Sequence, residues 1–262
     1  MYFSTKVHGR LMQIQRDRYK DLAVISNTVI KSSYALEETE KKLILALLGS
    51  IKPKLVNKEQ LNGGIINEQN GEVVSSTTLY TINISEYADL YGLEVFNARK
   101  LLKQAAITLF ERKIVVRNGS LLTYLRWVQT VVIDDEKSIV GVVWSNDIIP
   151  FISQLSSNFT QLKLGNIAKL HGMYSSRLYE LIISRYNEYG SRHNVKFNLE
   201  ELYFSMAIPK SFKKYGEFKR RILLPALKNI QEVINIRLEE EFKMKYKVVE
   251  LEFSVGKQTK PV

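Results

Sequence analysis

The chain has 262 residues, and its 38 Lys and Arg against 27 Asp and Glu leave a formal net charge of +11. This excess of positive charge favours a polyanionic partner, nucleic acid above all, while 45% apolar residues are enough to give two domains a core each. Because the sequence contains no cysteine, disulfides, thiol nucleophiles and zinc-finger sites are excluded. The apolar runs are too short to span a bilayer and the opening residues lack the apolar region of a signal peptide, so we expect a soluble, cytoplasmic protein.

The first predicted elements are an N-terminal arm and a helix. Residues 1–33 mix charges with a few apolar positions, so we assign them to an arm that is partly flexible. The stretch "LEETEKKLILALLGSI" then places Leu43 and Leu47 on one face, with Glu37 near the start, where the helix dipole favours anions. This pattern predicts a helix at the beginning of the N-terminal domain.

A helix-turn-helix is predicted next. The β-branched run "VVSSTTLYTINI" predicts a strand, and a short helix and a turn at Gly92 follow it. The longer helix "LEVFNARKLLKQAAITLFERK" completes the helix-turn-helix order, and its apolar stripe consists of Ala98, Leu101, Leu102, Ala105 and Leu109. Two hairpin signals come after it, one at "NG" (residues 118–119) and one at "DDEKS". A hairpin appended to a helix-turn-helix is the winged-helix arrangement.

The second half of the chain repeats this order. A helix at "SSRLYELIISRYNEYG" precedes a strand and a short helix capped by Asn198, with Glu201 three residues later. The segment "FKRRILLPALKNIQEVI" predicts a longer helix that bends or restarts at Pro225, and "INIRLEEEFKMKYKVVELEFSV" predicts a last hairpin. We therefore predict an α+β fold of two tandem winged-helix domains, at 34–150 and 151–262.

Polar and basic side chains opposite the apolar stripes are the candidate DNA contacts. In the second long helix, Phe218, Ile222, Ala226 and Ile230 recur at four-residue spacing and form an apolar stripe. Steps of about 100° per residue place Arg220, Arg221 and Lys228 opposite this stripe. Arg can bind guanine through two hydrogen bonds in the major groove, Asn and Gln suit adenine, and Lys suits guanine or phosphate. The candidate DNA-binding residues lie on the two long helices, just before the second of them, and on the hairpins. They are Asn97, Arg99, Lys100, Lys103, Gln104, Arg117, Lys213, Lys214, Arg220, Arg221, Lys228, Lys243 and Lys245.

A solvated charged face is the ordinary explanation for basic residues on an amphipathic helix. The DNA-binding hypothesis depends on agreement between features, because two basic second helices each follow a turn and each precede a hairpin. The aromatic residues predicted to pack in a core, since each lies in an apolar pattern, are Trp127, Trp144, Tyr179 and Tyr186.

Motifs of enzymes are missing from the sequence. His8, His171 and His193 do not have metal-ligand spacing, and there is neither a phosphate-binding loop nor a G-x-S-x-G nucleophile motif. A strand-nicking initiator would need a close pair of histidines for its metal, which the chain lacks. We predict no catalytic residue, no metal site and no cofactor.

Several separated blocks resemble the replication initiators of iteron-containing bacterial plasmids. The blocks are "NTVIKSSYALEETEKKLILALLG", "ISEYADLYG", "KLLKQAAITLFERKI", "LRWVQTVVI" and the run from "SSRLYELIISRYNEYG" to "FKRRILLPALKNIQEVI". They occur in the order of that family and cover about residues 22–256. The proline after the two arginines belongs to the family's pattern, whereas "KNIQEVI" stands where the family often has an acidic residue followed by Ile-Asn.

The resemblance implies a protein that binds directly repeated origin sequences in double-stranded DNA. It further implies monomers that open a neighbouring AT-rich stretch and help recruit the host replication initiator and the replicative helicase. Homodimers associated largely through the N-terminal domain would bind an inverted repeat and repress the initiator's own gene. Base reading is then assigned to the helix of Arg220 and Arg221, and further contacts to the helix of Lys100 and Lys103. Residue patterns alone do not separate this function from a winged-helix transcriptional repressor without a replication role.

Overall fold

The structure, a computed structural model, describes residues 12–13, 22–49, 65–67, 72–74, 78–153, 158–188 and 194–256. Apart from its described segments 12–13 and 22–33, the predicted N-terminal arm lies outside these ranges, as do His8 and His193. None of the helices within the ranges combines the length and the hydropathy needed to cross a bilayer.

The first half of the chain contains the predicted helix-turn-helix. Its elements are β1 (Met12–Gln13), β2 (Leu22–Ser26), α1 (Asn27–Lys31), α2 (Glu38–Leu48), β3 (Ile65–Asn67), β4 (Glu72–Val74), β5 (Tyr80–Asn83), α3 (Ile84–Tyr91), α4 (Val95–Phe110), β6 (Lys113–Asn118), β7 (Leu121–Arg126), β8 (Val128–Asp134), β9 (Ile139–Trp144) and α5 (Ile149–Ser153). Asn83 caps α3, because its side chain accepts a hydrogen bond of 2.9 Å from the Ser85 backbone N–H. Gly92 ends α3 at φ 62°, a left-handed conformation that turns the chain towards α4.

The sheet of the first winged helix has the strand order β1-β5-β9-β8. The hairpin of this winged helix is therefore β8–β9, whose turn contains the predicted "DDEKS" signal. The hairpin at residues 118–119 is β6–β7, which forms a two-stranded sheet of its own. Arg117, which the sequence places in a wing, thus lies in a hairpin outside the winged-helix sheet. Turn signals identify a hairpin, but they do not show which sheet its strands join.

The second half repeats the topology of the first. Its elements are β10 (Phe159–Lys163), α6 (Leu164–Lys169), α7 (Met173–Glu188), β11 (Asn194–Asn198), α8 (Leu199–Ser205), a 3-10 turn (Lys210–Phe212), α9 (Tyr215–Phe218), a π-helical turn (Lys219–Leu223), α10 (Leu224–Ile230), β12 (Ile236–Met244) and β13 (Lys247–Val255). Asn198 caps α8 as predicted, accepting hydrogen bonds from the backbone N–H groups of Glu200 and Glu201. The sheet order β11-β13-β12 corresponds to β5-β9-β8, with the last strand in the middle. The predicted α+β fold of tandem winged helices is confirmed.

Strand β2 and helix α1 belong to the folded body, although they lie in the segment predicted as an arm. β2 pairs antiparallel along its whole length with β10. At the start of α1, Asn27 Oδ1 accepts a buried hydrogen bond of 2.7 Å from the Thr160 hydroxyl, and Asn27 Nδ2 donates to Glu188 at 3.1 Å. These contacts fix the segment from residue 22 onwards against elements of the second half.

The aromatic residues predicted as core are buried or packed against the core. Trp127 and Trp144 are 0% and 1% exposed, and Tyr179 is 1% exposed with its hydroxyl bonded to Asn166 Nδ2 at 2.9 Å. Tyr186 is partly buried against the same cluster. The core prediction for these four residues is confirmed, and the rings of Trp127, Trp144 and Tyr179 are buried away from any base.

A buried ionic cluster, consisting of Lys41, Arg177 and Glu180, joins α2 of the first half to α7 of the second half. Lys41 on α2 forms an ion pair with Glu180 Oε1 on α7, while Arg177 Nη1 lies 3.1 Å from Glu180 Oε2. The side chains of Lys41, Arg177 and Glu180 are only 4%, 3% and 0% exposed. Burial lowers the pKa of Lys41, although the Glu180 carboxylate acts in the opposite direction.

Arg177 also bonds the chain segment between α1 and α2. Its Nη1 donates to the Tyr34 hydroxyl at 2.7 Å, its Nη2 donates to the carbonyl of Ser32 at 2.6 Å, and its guanidinium lies 3.8 Å from the centroid of the Tyr34 ring. On the opposite side, Arg177 Nε donates to the Ser205 carbonyl of α8 at 3.0 Å. One side chain therefore links α7 to α8 and to the connection that leads into the first winged helix.

Candidate nucleic-acid interface

The second long helix of the C-terminal half is the most basic candidate element. We call residues 215–230, which comprise α9, the π-helical turn and α10, the basic helix. Its predicted apolar stripe is confirmed, since Phe218, Ile222, Ala226 and Ile230 are all buried. With that side fixed in the core, Lys228 and the two arginines of the π-helical turn extend from the other side, and all three are exposed.

The interruption predicted at Pro225 takes the form of a π-helical turn. Pro225 has no N–H, and in a regular α-helix its ring would crowd the carbonyl of Arg221. The chain instead makes a wider turn, in which the Leu224 N–H donates to the Lys219 carbonyl five residues back. The helix thus continues through the proline, and Pro225 lies in the first turn of α10.

Both arginines of the basic helix are held by one carboxylate. Arg220 Nη2 lies 3.0 and 3.1 Å from the two carboxylate oxygens of Glu217, and Arg221 Nε lies 2.7 Å from Glu217 Oε2. The side chains of Arg220 and Arg221 are 66% and 55% exposed, so these contacts are at the surface. The hydrogen bond from Arg220 lowers the pKa of the Glu217 carboxyl, and the charge of Arg221 adds to the effect. The sequence reasoning missed Glu217 as part of the candidate interface.

Further lysines flank the basic helix. Lys213 and Lys214 are exposed immediately before it, and Lys214 is its N-cap residue. Lys219 is different, because its ammonium is paired with Glu241 on β12. The same carboxylate accepts a hydrogen bond of 2.6 Å from the Tyr215 hydroxyl. Lys219 therefore supports the packing of the helix on the sheet, which agrees with its position near the apolar stripe.

The hairpin β12–β13 forms the second wing. Lys243 and Lys245 are exposed there, and Lys245 occupies the turn at φ 55°. Tyr246, the next residue, is 98% exposed and extends from the tip. An exposed tyrosine between lysines can donate a hydrogen bond to phosphate while the lysines supply charge. Its exposure could not be read from the alternating pattern of this hairpin.

In the first half, α4 presents two groups of candidate residues. Asn97, Lys100 and Gln104 are exposed on its outer side. Arg99 and Lys103 instead bind the turn of the β8–β9 hairpin: Arg99 Nη1 lies 3.3 Å from Asp135 Oδ1, and the Lys103 ammonium pairs with the same oxygen. The hydrogen bond from Lys103 lowers the pKa of Asp135.

Two family models match the chain in the order of its two winged helices. The model described as "Initiator Replication protein, WH1" matches residues 22–183, and the model described as "Initiator Rep protein, WH2" matches residues 198–255. The chain belongs to the initiator replication protein family. The resemblance found in the sequence is thereby confirmed, and the basic helix of the initiator lies within its WH2 domain.

Two relatives of the initiator are of particular interest. An Escherichia coli protein described as "Replication initiation protein" is 23% identical over 216 residues, which make up 81% of this chain and 63% of that protein. The initiator thus spans less than two thirds of the length of that relative. The structure described as "Crystal structure of Pi initiator protein in complex with iteron DNA" has a TM-score of 0.65 and 20% identity, and covers 91% of the initiator and 98% of that chain. At this identity the likeness shows a shared fold.

Arg117 of the initiator contacts the other half of the molecule. Its guanidinium lies 3.8 Å from the centroid of the Phe204 ring on α8. Together with Val116, it lines one wall of a cleft of about 410 Å3, whose other walls come from α1, α7, β11 and α8. In this position Arg117 holds the β6–β7 hairpin against the second half, a role that its sequence context did not indicate.

The described part of the initiator offers no metal site. Its His, Cys, Asp and Glu side chains do not come together in any group of three or more that could bind a metal ion. His171 is exposed, and its Nδ1 lies 3.7 Å from Glu38 Oε1.

The substitution Asp135→Asn is expected to strengthen binding of random-sequence duplex DNA by up to about fivefold, because it releases Arg99 and Lys103 from an exposed ion pair and removes a negative charge beside them. Fluorescence anisotropy with a labelled random-sequence duplex at constant salt measures the change. Glu136→Gln removes the same charge from an exposed neighbour that holds neither cation. An equal increase in that control would show that net charge alone is responsible.

Proposed function

We propose that this initiator binds directly repeated sequences of a plasmid replication origin, as double-stranded DNA, and initiates replication there. The observation that carries the proposal is the basic helix, which presents Arg220, Arg221 and Lys228 outwards from a buried apolar side. Membership of the initiator family supports a role in replication, and the likeness to a Pi initiator bound to iteron DNA supports repeats as the target.

The two halves have different tasks on the DNA. The basic helix reads base edges in a major groove, where the arginines suit guanine. Helix α4 adds contacts through Asn97, Lys100 and Gln104, and the lysines of the second wing bind phosphates. Because each neutralised phosphate releases counterions, the affinity falls steeply as the salt concentration rises.

Two winged helices in one chain favour a long recognition site. After one helix has docked, the other is present at a high effective concentration for the neighbouring groove. The buried ionic cluster and the contacts of β2 with β10 hold the two halves in a fixed relation, so the two grooves must be correctly spaced. We propose 34–150 as the N-terminal domain for DNA binding and dimerisation, and 151–262 as the C-terminal domain for the main recognition of repeats.

The proposal extends to later steps of initiation in the bacterial cytoplasm. Bound monomers promote opening of an adjacent AT-rich stretch and help recruit the host initiator and the replicative helicase. Homodimers, associated through the N-terminal domain, repress the initiator's gene. Strand β7 is a candidate surface for contact with a second copy. Among the described strands it pairs only with β6, and it exposes Leu121, Leu122 and Tyr124. Sedimentation over a range of concentrations measures the monomer–dimer equilibrium.

The test of origin binding is a footprint on the DNA that flanks the gene. We expect protected segments at a regular spacing, as directly repeated sites require, together with hypersensitivity in an AT-rich stretch. A plasmid that carries these repeats but lacks the gene should replicate when the initiator is supplied in trans. Protection of one operator alone, with no replication in trans by folded protein, would favour a transcriptional repressor and contradict the proposal.

We further propose that the initiator acts by binding, without cutting DNA and without a cofactor. Supercoiled origin DNA incubated with the protein and a divalent metal should remain supercoiled and free of covalent protein. A tyrosine-linked adduct would contradict this part of the proposal and identify a strand-nicking enzyme.

A further inference from the structure

A carboxylate lies among the arginines on the outer side of the basic helix. Glu217 is three residues before Arg220 and four before Arg221, spacings that bring all three side chains together on a helix. Its oxygens accept hydrogen bonds from Arg220 Nη2 at 3.0 and 3.1 Å, and its Oε2 forms an ion pair with Arg221 Nε at 2.7 Å. The Glu217 side chain is 39% exposed, so this contact faces the solvent side of the helix and is separate from the core.

Such a carboxylate is unfavourable for general affinity to DNA. Duplex DNA carries one negative charge per about 1.7 Å of its axis, so a glutamate on the docking face is repelled at every sequence. It also occupies hydrogen-bond donors of the two arginines that would otherwise bind phosphates. If the basic helix bound DNA through charge attraction alone, this carboxylate would only lower its affinity.

The geometry of the contact leaves Arg221 suited to bases. Arg221 forms an ion pair with Glu217 through Nε, which leaves both of its terminal amino groups for acceptors such as O6 and N7 of guanine. Arg220 donates through Nη2, which belongs to both two-donor edges of its guanidinium, so Nε and Nη1 remain as single donors. Because each guanidinium is planar and paired with the same carboxylate, its orientation is restricted before DNA arrives, and less conformational entropy is lost on binding.

We infer that Glu217 is a specificity-determining residue of the basic helix, which positions Arg221 for a base edge, holds Arg220 beside it, and weakens the binding of both arginines to random sequence. This inference depends on the proposed DNA-binding function. A purely structural residue would change the affinities for enriched and random sequences together, whereas Glu217 changes them separately. Without the carboxylate, affinity for random duplex rises and discrimination between sequences falls.

The experiment is a selection from a randomised duplex library, performed in parallel with the full-length protein and its Glu217→Gln and Glu232→Gln variants. Glu232 is exposed just beyond α10, so its variant removes the same charge from a site remote from the arginines. We expect Glu217→Gln to bind random-sequence duplex about threefold more tightly, as the loss of one repelled charge near phosphates predicts. We expect its ratio of enriched-sequence to random-sequence affinity to fall about tenfold.

The outcomes are distinguishable. If the unsubstituted protein enriches no motif, the proposed function fails and the inference fails with it. If that protein enriches a motif and Glu217→Gln enriches the same motif with unchanged affinities, only the inference is overturned. If Glu217→Gln loses affinity equally for enriched and random duplexes, its role is structural. If Glu232→Gln gains as much affinity for random duplex as Glu217→Gln does, net charge explains the gain. Either result overturns the inference.

Discussion

The substitution Glu180→Gln is expected to lower the free energy of unfolding by about 3–5 kcal/mol, as the loss of one partner from a buried ion pair does. It would leave two cations, Lys41 and Arg177, without a counterion at a site where their side chains are 4% and 3% exposed. Chemical denaturation followed by circular dichroism measures the change. The exposed Glu232 offers a matched control, and Glu232→Gln should stay within about 0.5 kcal/mol of the unsubstituted protein.

Two further measurements separate charge balance from lost packing. Lys41→Met leaves Arg177 and Glu180 as a balanced pair, so it should cost clearly less than Glu180→Gln. In Glu180→Gln, Lys41 loses the anion that favours its charged form, and burial already lowers its pKa. The unfolded chain then binds more protons than the folded one, so the stability of this variant should rise as the pH approaches the ordinary lysine value of about 10.4. Equal costs for both variants and no gain at high pH would contradict the charge explanation.

The function of the buried ionic cluster follows from its location. It joins α2 and α7. Helix α2 packs against α4, and α7 packs against α10 of the basic helix. A loosened cluster would let the two long helices move relative to each other on the DNA. Variants of the cluster that still fold should therefore tolerate a wider range of spacings between the two halves of a binding site.

The sequence predicts the order of elements well but not their partners. The stripe of α4, the turn at Gly92 and the cap at Asn198 are local signals, and the structure shows the turn, the cap and the stripe. The exception is Leu101, which was predicted in the stripe of α4 but is 38% exposed. The cluster of Lys41 and Glu180 joins residues 139 positions apart, and each occurs in an ordinary amphipathic pattern in which charges usually face water. No local period indicates that two such charges are buried together.

The candidate site was predictable to a similar extent. Helical periodicity places Arg220 and Arg221 on the exposed side, and both are exposed in the structure. Glu217 has the spacing of a common surface ion pair, so the pattern does not mark it as special. Pro225 predicted an interruption but not its π-helical form, and Phe218 and Ile230 are buried on both sides of the proline.

The substitution Arg220→Ala, or Arg221→Ala, is expected to weaken binding of the enriched repeat by about 1–3 kcal/mol and to relax the preference at one base pair. Both side chains are exposed and bonded only at one edge by Glu217, so their removal leaves no cavity in the core. Anisotropy titrations with repeat and random-sequence duplexes, at several salt concentrations, measure the loss on each. The loss on random duplex should be much smaller, because a base contact contributes only where the base is present.

Lys243→Ala, on the second wing, is the matched control for a phosphate contact. Its side chain is exposed and distant in sequence from the basic helix. We expect it to weaken repeat and random duplexes by similar factors and to reduce the salt slope by about one. If Arg220→Ala and Arg221→Ala behave in the same way as Lys243→Ala, both arginines bind phosphates, and the reading of bases must be assigned to another element, with the exposed side chains of α4 the first to be tested.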